Sequence, residues 1–316
     1  MNPTLTTSEL VDRQQQALQL QWIAGKAGGD RSLEPPSAKY PGMALVGHLN
    51  YVHRNRVQVI GQTELEYLRG LDPAQRQQAV QDLFQCASTS LVILCKQEID
   101  DDLVEAADQH RLPFCRSDLP SPVIIDALQA FLTRALAPRE TVHGVFIEVM
   151  GIGVLITGEA GIGKSELALE LLSRGHRMIA DDAVELVRSD PEYLVGQSLR
   201  HELLEYLEVR GLGIIDVRTM FGETAVRHKK NIHFIIRLER LTEERLSKVD
   251  RLQAETGSRT ILGLSIPEVV LYVAPGRNLA VLVEAATRSH ILRMWGMNPM
   301  EEFLEKHHAL IKKEQE

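Results

Sequence analysis

The segment Gly158-Glu159-Ala160-Gly161-Ile162-Gly163-Lys164-Ser165 constrains this chain more than any other. Its glycines let the backbone curl until successive N–H groups face one concavity, which is how a phosphate-binding loop holds anions. The apolar run Val154-Leu155-Ile156-Thr157 in front of it reads as a buried strand. From Lys164 to Ser173 the sequence reads as a helix stopped by Gly175. Strand, loop and helix in that order are the context that confirms the motif, and the helix adds its positive terminus. Lys164 would reach the β- and γ-phosphates of ATP, and Ser165 would ligate Mg2+. The bland alternative is a glycine-rich turn that ends in a surface lysine.

The surroundings of the loop narrow the fold further. His143 to Val149 reads as a strand, Met150-Gly151-Ile152-Gly153 as a turn, and Arg177 to Val187 as one more strand. The loop strand is therefore preceded by a hairpin and followed closely by a strand. That is not the regular βαβ alternation of a Ras-like or adenylate-kinase-like domain.

Two carboxylates stand in Met178-Ile179-Ala180-Asp181-Asp182-Ala183-Val184-Glu185-Leu186-Val187. In a continuous strand, neighbours point to opposite faces. Asp182 would then share an apolar face with Met178, Ala180, Val184 and Leu186, and Asp181 would share its face with Glu185. Burial on an apolar face raises a carboxyl pKa and suits proton transfer. Asp182 is accordingly expected to be a base, and Asp181 to support a metal or a polar network. The competing reading has one Asp capping the helix or pairing with Lys164. Further on, Glu208 and Arg210 share a face of an extended segment beside Gly211 and Gly213. A ligand contact and a salt-bridged strand end fit that pattern equally.

The first half alternates strand and helix: a strand at 55–61, a helix opened by Asp72-Pro73, a buried strand from Ser90 to Cys95, a helix from Asp100 to His110, a short strand at Pro113-Phe114-Cys115, and a helix capped by Ser121-Pro122. It carries no phosphate loop and no metal-ligand spacing. Gly47-His48-Leu49-Asn50 and His53 could form a site, but a satisfied loop or core explains them better. A break at Ala137-Pro138-Arg139-Glu140 places the boundary, giving an α/β domain at 1–137 and a phosphate-loop domain at 138–316.

Composition matters mainly for what it excludes. A net charge of −8 disfavours broad binding to nucleic acid or anionic membrane. No apolar run is long enough to span a bilayer, and Met1-Asn2-Pro3-Thr4-Leu5 lacks the start of a signal peptide. Cys86, Cys95 and Cys115 have no metal-like spacing and read as buried, reduced thiols. A cytoplasmic setting is expected.

The combination resembles HPr kinase/phosphorylase. The resemblance rests on His143-Gly144, the phosphate loop, Asp181 to Glu185, the run Leu207 to Glu223, and Ala274-Pro275-Gly276-Arg277-Asn278-Leu279-Ala280-Val281. It implies a two-domain α/β protein. The N-terminal domain is similar to the UDP-MurNAc-binding domain of peptidoglycan ligases, and the kinase domain to PEP carboxykinase around its loop. It implies transfer of the ATP γ-phosphoryl group to a serine of HPr, and attack of inorganic phosphate on phosphoserine to release pyrophosphate. Gly158, Glu159, Ala160, Gly161, Ile162, Gly163, Lys164 and Ser165 would hold the nucleotide, and Ser165 and Glu208 match the Mg2+ ligands. Asp182 would accept the serine proton in one direction and return it in the other. His143 matches a catalytic-site histidine that orients the Asp182 region, and Arg251 matches a catalytic arginine. The resemblance also implies a homohexamer. Ala274 departs from it, standing where a basic residue is expected in a loop linked to dephosphorylation.

Two other readings compete: a small-molecule or carboxykinase-like kinase with a closed pocket, and a non-catalytic nucleotide-gated regulator. A protein substrate needs an open shelf, and mere binding needs no base.

Overall fold

Five consecutive apolar residues, Leu91 to Cys95, organise the first half of the chain. In a strand buried on both sides, alternate residues feed two cores. Leu91, Ile93 and Cys95 pack in one apolar cluster with Leu10, Ile124, Leu128 and Leu132. Val92 and Leu94 pack in the other with Leu65, Leu83, Phe84, Leu103 and Phe114. A computed structural model describes residues 4–33, 45–51, 55–241, 256–297 and 303, and the chain divides into two units, 1–138 and 139–316. Arg251 and His53 lie outside the described residues.

In the first unit, β1 (Leu5–Thr6), α1 (Thr7–Leu18), β2 (Gln21–Ala24) and β3 (Ser32–Leu33) precede β4 (Val46–His48), β5 (Val57–Ile60), α2 (Gln62–Gly70) and α3 (Pro73–Phe84). Then come β6 (Leu91–Cys95), α4 (Asp101–Gln109), β7 (Phe114–Ser117) and α5 (Ser121–Ala135). The sheet order is β2-β7-β6-β5-β4, with β4 to β7 parallel and β2 antiparallel at the edge. Asp72 caps α3 by accepting from the Ala74 and Gln75 N–H groups, with Pro73 at the first helical position. The helix expected to be capped by Ser121-Pro122 instead has Pro120 at its cap position, and Ser121 is already its first helical residue. All three cysteines are buried. Burial pushes the Cys95 and Cys115 thiols up to about 12, with Glu64 adding to the effect at Cys95.

The second unit runs β8 (Arg139–His143), β9 (Val145–Val149), β10 (Ile152–Gly158), α6 (Lys164–Ser173), β11 (Arg177–Ala180), β12 (Ala183–Val187) and β13 (Val195–Ser198). It continues with β14 (Tyr206–Val209), β15 (Gly213–Asp216), α7 (Val217–Phe221), β16 (Lys229–Arg240), β17 (Thr256–Ile261), β18 (Leu264–Val273) and α8 (Leu279–Met294). Its main sheet follows β11-β9-β10-β16-β13-β12-β8, with β18 on β16 and β17 on β18. β10 is antiparallel to β9 and parallel to β16. The β9–β10 turn is only Met150-Gly151, both at positive φ, so Ile152 and Gly153 already belong to β10.

Two expectations about strand continuity need correction. The strand expected over His143 to Val149 divides at Gly144, where a Cβ would lie 2.5 Å from the Ile156 carbonyl oxygen. The strand expected over Arg177 to Val187 breaks at Asp181-Asp182 into β11 and β12. The apolar alternation runs across that break, which is why the pattern concealed it. Among the described residues, no helix is long and apolar enough to cross a membrane.

Candidate active site

The loop 158–163 joins the buried end of β10 to the start of α6, and it needs its glycines. Gly158, Gly161 and Gly163 have φ of 148°, 71° and 103°, a region that side chains rarely adopt. Lys164 folds back over this loop, its Nζ donating to the Gly158 and Glu159 carbonyls at 3.0 and 2.9 Å. Ser165, next along the first turn of α6, donates from Oγ to Asp181 Oδ1 at 3.4 Å.

Asp181 is the partly buried member of the acidic pair. Burial holds its carboxyl above the ordinary value, against hydrogen bonds from the Glu208 and Asp182 main-chain N–H groups that pull it down. Asp182 is the exposed member, with 90% of its side chain open to solvent. The expectation that Asp182 lies on an apolar strand face is therefore overturned, and burial acts on Asp181 instead. The cause is local. The Ala183 N–H bonds to the Asp181 carbonyl at 2.8 Å, closing a three-residue turn with Asp182 at its centre and at φ 64°. That turn rotates the Asp182 carboxylate out of the sheet.

The Asp182 carbonyl accepts the Gly144 N–H at 3.0 Å, which brings the end of β8 alongside. His143, 83% exposed, thereby places Nδ1 3.9 Å from Asp182 Oδ1. That spacing is an electrostatic neighbourhood and is too long for a hydrogen bond.

Glu208 and Arg210 arrive on the β14–β15 hairpin, whose first strand is tied down by the Glu208 N–H to Asp181 Oδ2 bond of 3.2 Å. A Cβ added to Gly161 would meet an Arg210 guanidinium nitrogen at 3.2 Å, so this cation lies against the phosphate loop. The sequence pairs Arg210 with Glu208 on one face but carries no sign of this approach to a loop almost fifty positions away.

Two concavities meet here. A cradle of about 440 Å3 is lined by the loop, Lys164, Ser165, Glu166 and Arg210. An adjoining shelf of about 840 Å3 is lined by Leu199, Arg200, Leu203, Tyr206 and Ile214. His143, Asp181, Asp182 and Glu208 line both. Leu199, Leu203, Tyr206 and Ile214 are exposed, Ile214 at 76%. Sequence reasoning missed this shelf. The only signal for it is an apolar Leu212 and Ile214 set among glycines in a turn.

His143, Lys164, Ser165, Asp181, Asp182, Glu208 and the loop glycines are thus brought together. Among the described residues, no group of three or more His, Cys, Asp or Glu side chains is arranged to hold a metal. Mg2+ ordinarily takes only one or two protein carboxylates plus substrate phosphates and water. The oxygen donors of Ser165, Asp181 and Glu208 around one cradle fit that requirement.

Comparison with known proteins gives a consistent result. The family model described as HPr Serine kinase N terminus matches residues 5–132, and that described as HPr Serine kinase C-terminal domain matches residues 134–307. A protein of Chromobacterium violaceum named HPr kinase/phosphorylase is 45% identical over 305 residues, covering 96% of this chain and 95% of the relative. One of Xanthomonas campestris pv. campestris with the same name is 45% identical over 314 residues, covering 99% of each. A solved chain titled "Structure of the Hpr(Ser) kinase/phosphatase from Coxiella burnetii" is 37% identical and covers 49% of this chain and 98% of its own, with a TM-score of 0.44.

Proposed function

The chain belongs to the HPr serine kinase family, and from that premise we propose that it phosphorylates a serine of HPr with ATP and reverses the modification by phosphorolysis. The observation that carries this reading is the seam between cradle and shelf. One small set of residues, His143, Asp181, Asp182 and Glu208, faces both a phosphate loop and an open, partly apolar ledge. A small-molecule kinase calls for an enclosed pocket with converging polar groups, whereas a ledge suits a protein substrate.

In the forward direction the N–H groups of the loop hold the ATP phosphates, and Lys164 and Arg210 balance their charge. HPr lies on the shelf with its serine at the seam. The serine Oγ attacks the γ-phosphorus, an O–P bond forms, the bond to the bridging oxygen breaks, and ADP leaves. The serine proton passes to the Asp182 carboxylate. In the other direction an oxygen of inorganic phosphate attacks the phosphoserine phosphorus, pyrophosphate forms, and Asp182 returns a proton to the departing serine oxygen. The serine oxygen is nucleophile in one reaction and leaving group in the other, so a single group beside it can serve as base and then as acid.

The role of Asp182 rests on its position, not on burial. It is exposed at the seam, where a serine hydroxyl can reach it, with His143 as an electrostatic neighbour at 3.9 Å that the resemblance casts as orienting this region. Asp181 lies behind, bonded to Ser165 and to the Glu208 main chain. Ser165, Glu208 and Asp181 would hold Mg2+, which when bound neutralises charge on the transferring phosphoryl group. Arg251 joins the site by resemblance alone. By the same resemblance the protein is a homohexamer, which sedimentation analysis would test, and its buried free thiols and use of ATP fit a cytoplasmic setting.

The decisive experiment is incubation with ATP, Mg2+ and HPr, with mass spectrometry to locate the phosphate. Phosphoserine on HPr is the expected product, with pyrophosphate released when inorganic phosphate is then supplied. ATP consumed to the same extent without HPr, and no phosphate on it, would overturn the reading.

A further inference from the structure

The cradle and the shelf differ in their cations. Lys164 and Arg210 line the cradle and not the shelf. Both lie against the phosphate loop, Lys164 on the Gly158 and Glu159 carbonyls and Arg210 beside Gly161. Among the described residues that line the shelf, Arg200 is the one Lys or Arg, set against the carboxylates of Asp181, Asp182 and Glu208.

The sheet brings Arg200 toward the seam. Strands β12 and β13 are antiparallel with Val184 opposite Ser198, and the Leu199 N–H reaches the Ala183 carbonyl at 3.4 Å. Carried one position past Leu199, that register sets Arg200 across from Asp182. The main chain is fixed there. The buried Ser198 hydroxyl accepts the Arg200 N–H at 3.2 Å and donates to the Arg200 carbonyl at 3.1 Å. The same carbonyl accepts the Leu203 N–H at 3.0 Å. The guanidinium takes no part in this anchoring. Arg200 is exposed, and its side chain forms no ion pair or hydrogen bond among the described residues. Arg218, by contrast, is held between Glu205 and Glu223.

The two substrates of the site differ at this point by one group. A serine hydroxyl is neutral, whereas a phosphoserine carries a charge of about −1.5 to −2 at pH 7. That phosphate has to approach the carboxylates of the seam, and like charges so placed repel. A guanidinium on the substrate side offsets this repulsion, and its planar fork offers paired N–H donors to phosphate oxygens.

We propose that Arg200 holds the phosphate of the incoming phosphoserine and so sets how well the protein takes phosphorylated over unphosphorylated HPr. The proposal rests on the HPr reading above and concerns which form of that partner the shelf selects. Lys164 and Arg210 remain with the nucleotide or inorganic phosphate in the cradle.

The test measures both forms of HPr on the full chain. Titration calorimetry without ATP, inorganic phosphate or Mg2+ gives Kd for each form in the absence of turnover. Arg200→Gln should raise the Kd of phosphoseryl-HPr relative to that of HPr about tenfold or more, the usual scale for a lost charge-assisted pair. Arg200→Lys keeps the charge without the fork and should fall between Arg200→Gln and the parent. The ratio of KM for phosphoseryl-HPr in phosphorolysis to KM for HPr in phosphorylation should shift in the same direction. A general disturbance of the shelf would weaken both forms alike and leave these ratios where they were. Ratios in Arg200→Gln equal to those of an active parent would overturn this proposal alone. A parent that neither binds nor phosphorylates HPr would overturn the HPr reading and this proposal with it.

Discussion

The carboxylate of Asp181 accepts the main-chain N–H of Glu208 at 3.2 Å, so a group at the end of β11 holds the β14–β15 hairpin against the phosphate loop. This bond explains how two segments that the sequence keeps far apart come to share one cradle. It also makes Asp181 a structural reporter, because its ionisation is disfavoured by the burial that the bond requires.

For Asp181 the sign is definite. Its folded pKa lies above the ordinary value of 3.8, so between the two values the folded state binds more protons than the unfolded chain. The stability associated with that proton is complete below the unfolded pKa and is lost as pH rises through the folded one. Asp181→Asn cannot ionise and should escape that loss. The melting temperature of the variant relative to the parent should improve between pH 4 and pH 7, measured without nucleotide or metal. An unchanged difference would show that the burial is not felt.

Asp182→Asn should keep the fold, because Asn tolerates the left-handed backbone that Asp182 adopts at φ 64°. ATP affinity should persist. HPr phosphorylation should fall by about 10²–10⁴-fold, the usual range for a lost general base. Phosphorolysis should fall with it, since an amide does not supply the proton. Retained turnover in both directions would move the proton to another group.

Glu208→Gln keeps the shape and removes the charge. The rate should then saturate only at higher Mg2+, with HPr affinity unaltered. If the Mg2+ dependence does not move, Glu208 serves only to position the hairpin.

Ile214→Asp places a charge on the shelf at a side chain that is 76% exposed, so the free protein should remain stable. Burying such a side chain against a partner is worth about 1.5–3 kcal/mol, so KM for HPr should rise about tenfold or more. KM for ATP should stay as it was. An unaltered KM for HPr would show that the ledge carries no substrate.

Local features were the legible ones. The phosphate loop and the helix Lys164–Ser173 could be read to the residue, because glycine spacing and a following apolar period are written in neighbouring positions. The Asp72-Pro73 cap and the buried Leu91–Cys95 strand were legible for the same reason. The turn at Asp182 was not, since an apolar alternation continues through it and the break is made by main-chain bonds, from the Ala183 N–H to the Asp181 carbonyl and from the Gly144 N–H to the Asp182 carbonyl. Arg210 beside Gly161 and the exposed Leu199, Leu203 and Tyr206 are products of tertiary folding. No periodicity within one segment encodes which distant loop a hairpin will lean on.

The three-residue turn at Asp182 has a consequence for redesign. Its carbonyl is pinned by the Gly144 N–H, and Gly144 itself has no room for a side chain against the Ile156 carbonyl. The location of the carboxylate is thus a property of the main chain, whereas the ledge beside it is built from side chains on a loop, a short helical turn at 201–203 and a hairpin. The two can be varied independently. A library that randomises Leu199, Leu203, Tyr206 and Ile214 can search for altered protein specificity while the acidic group keeps its address.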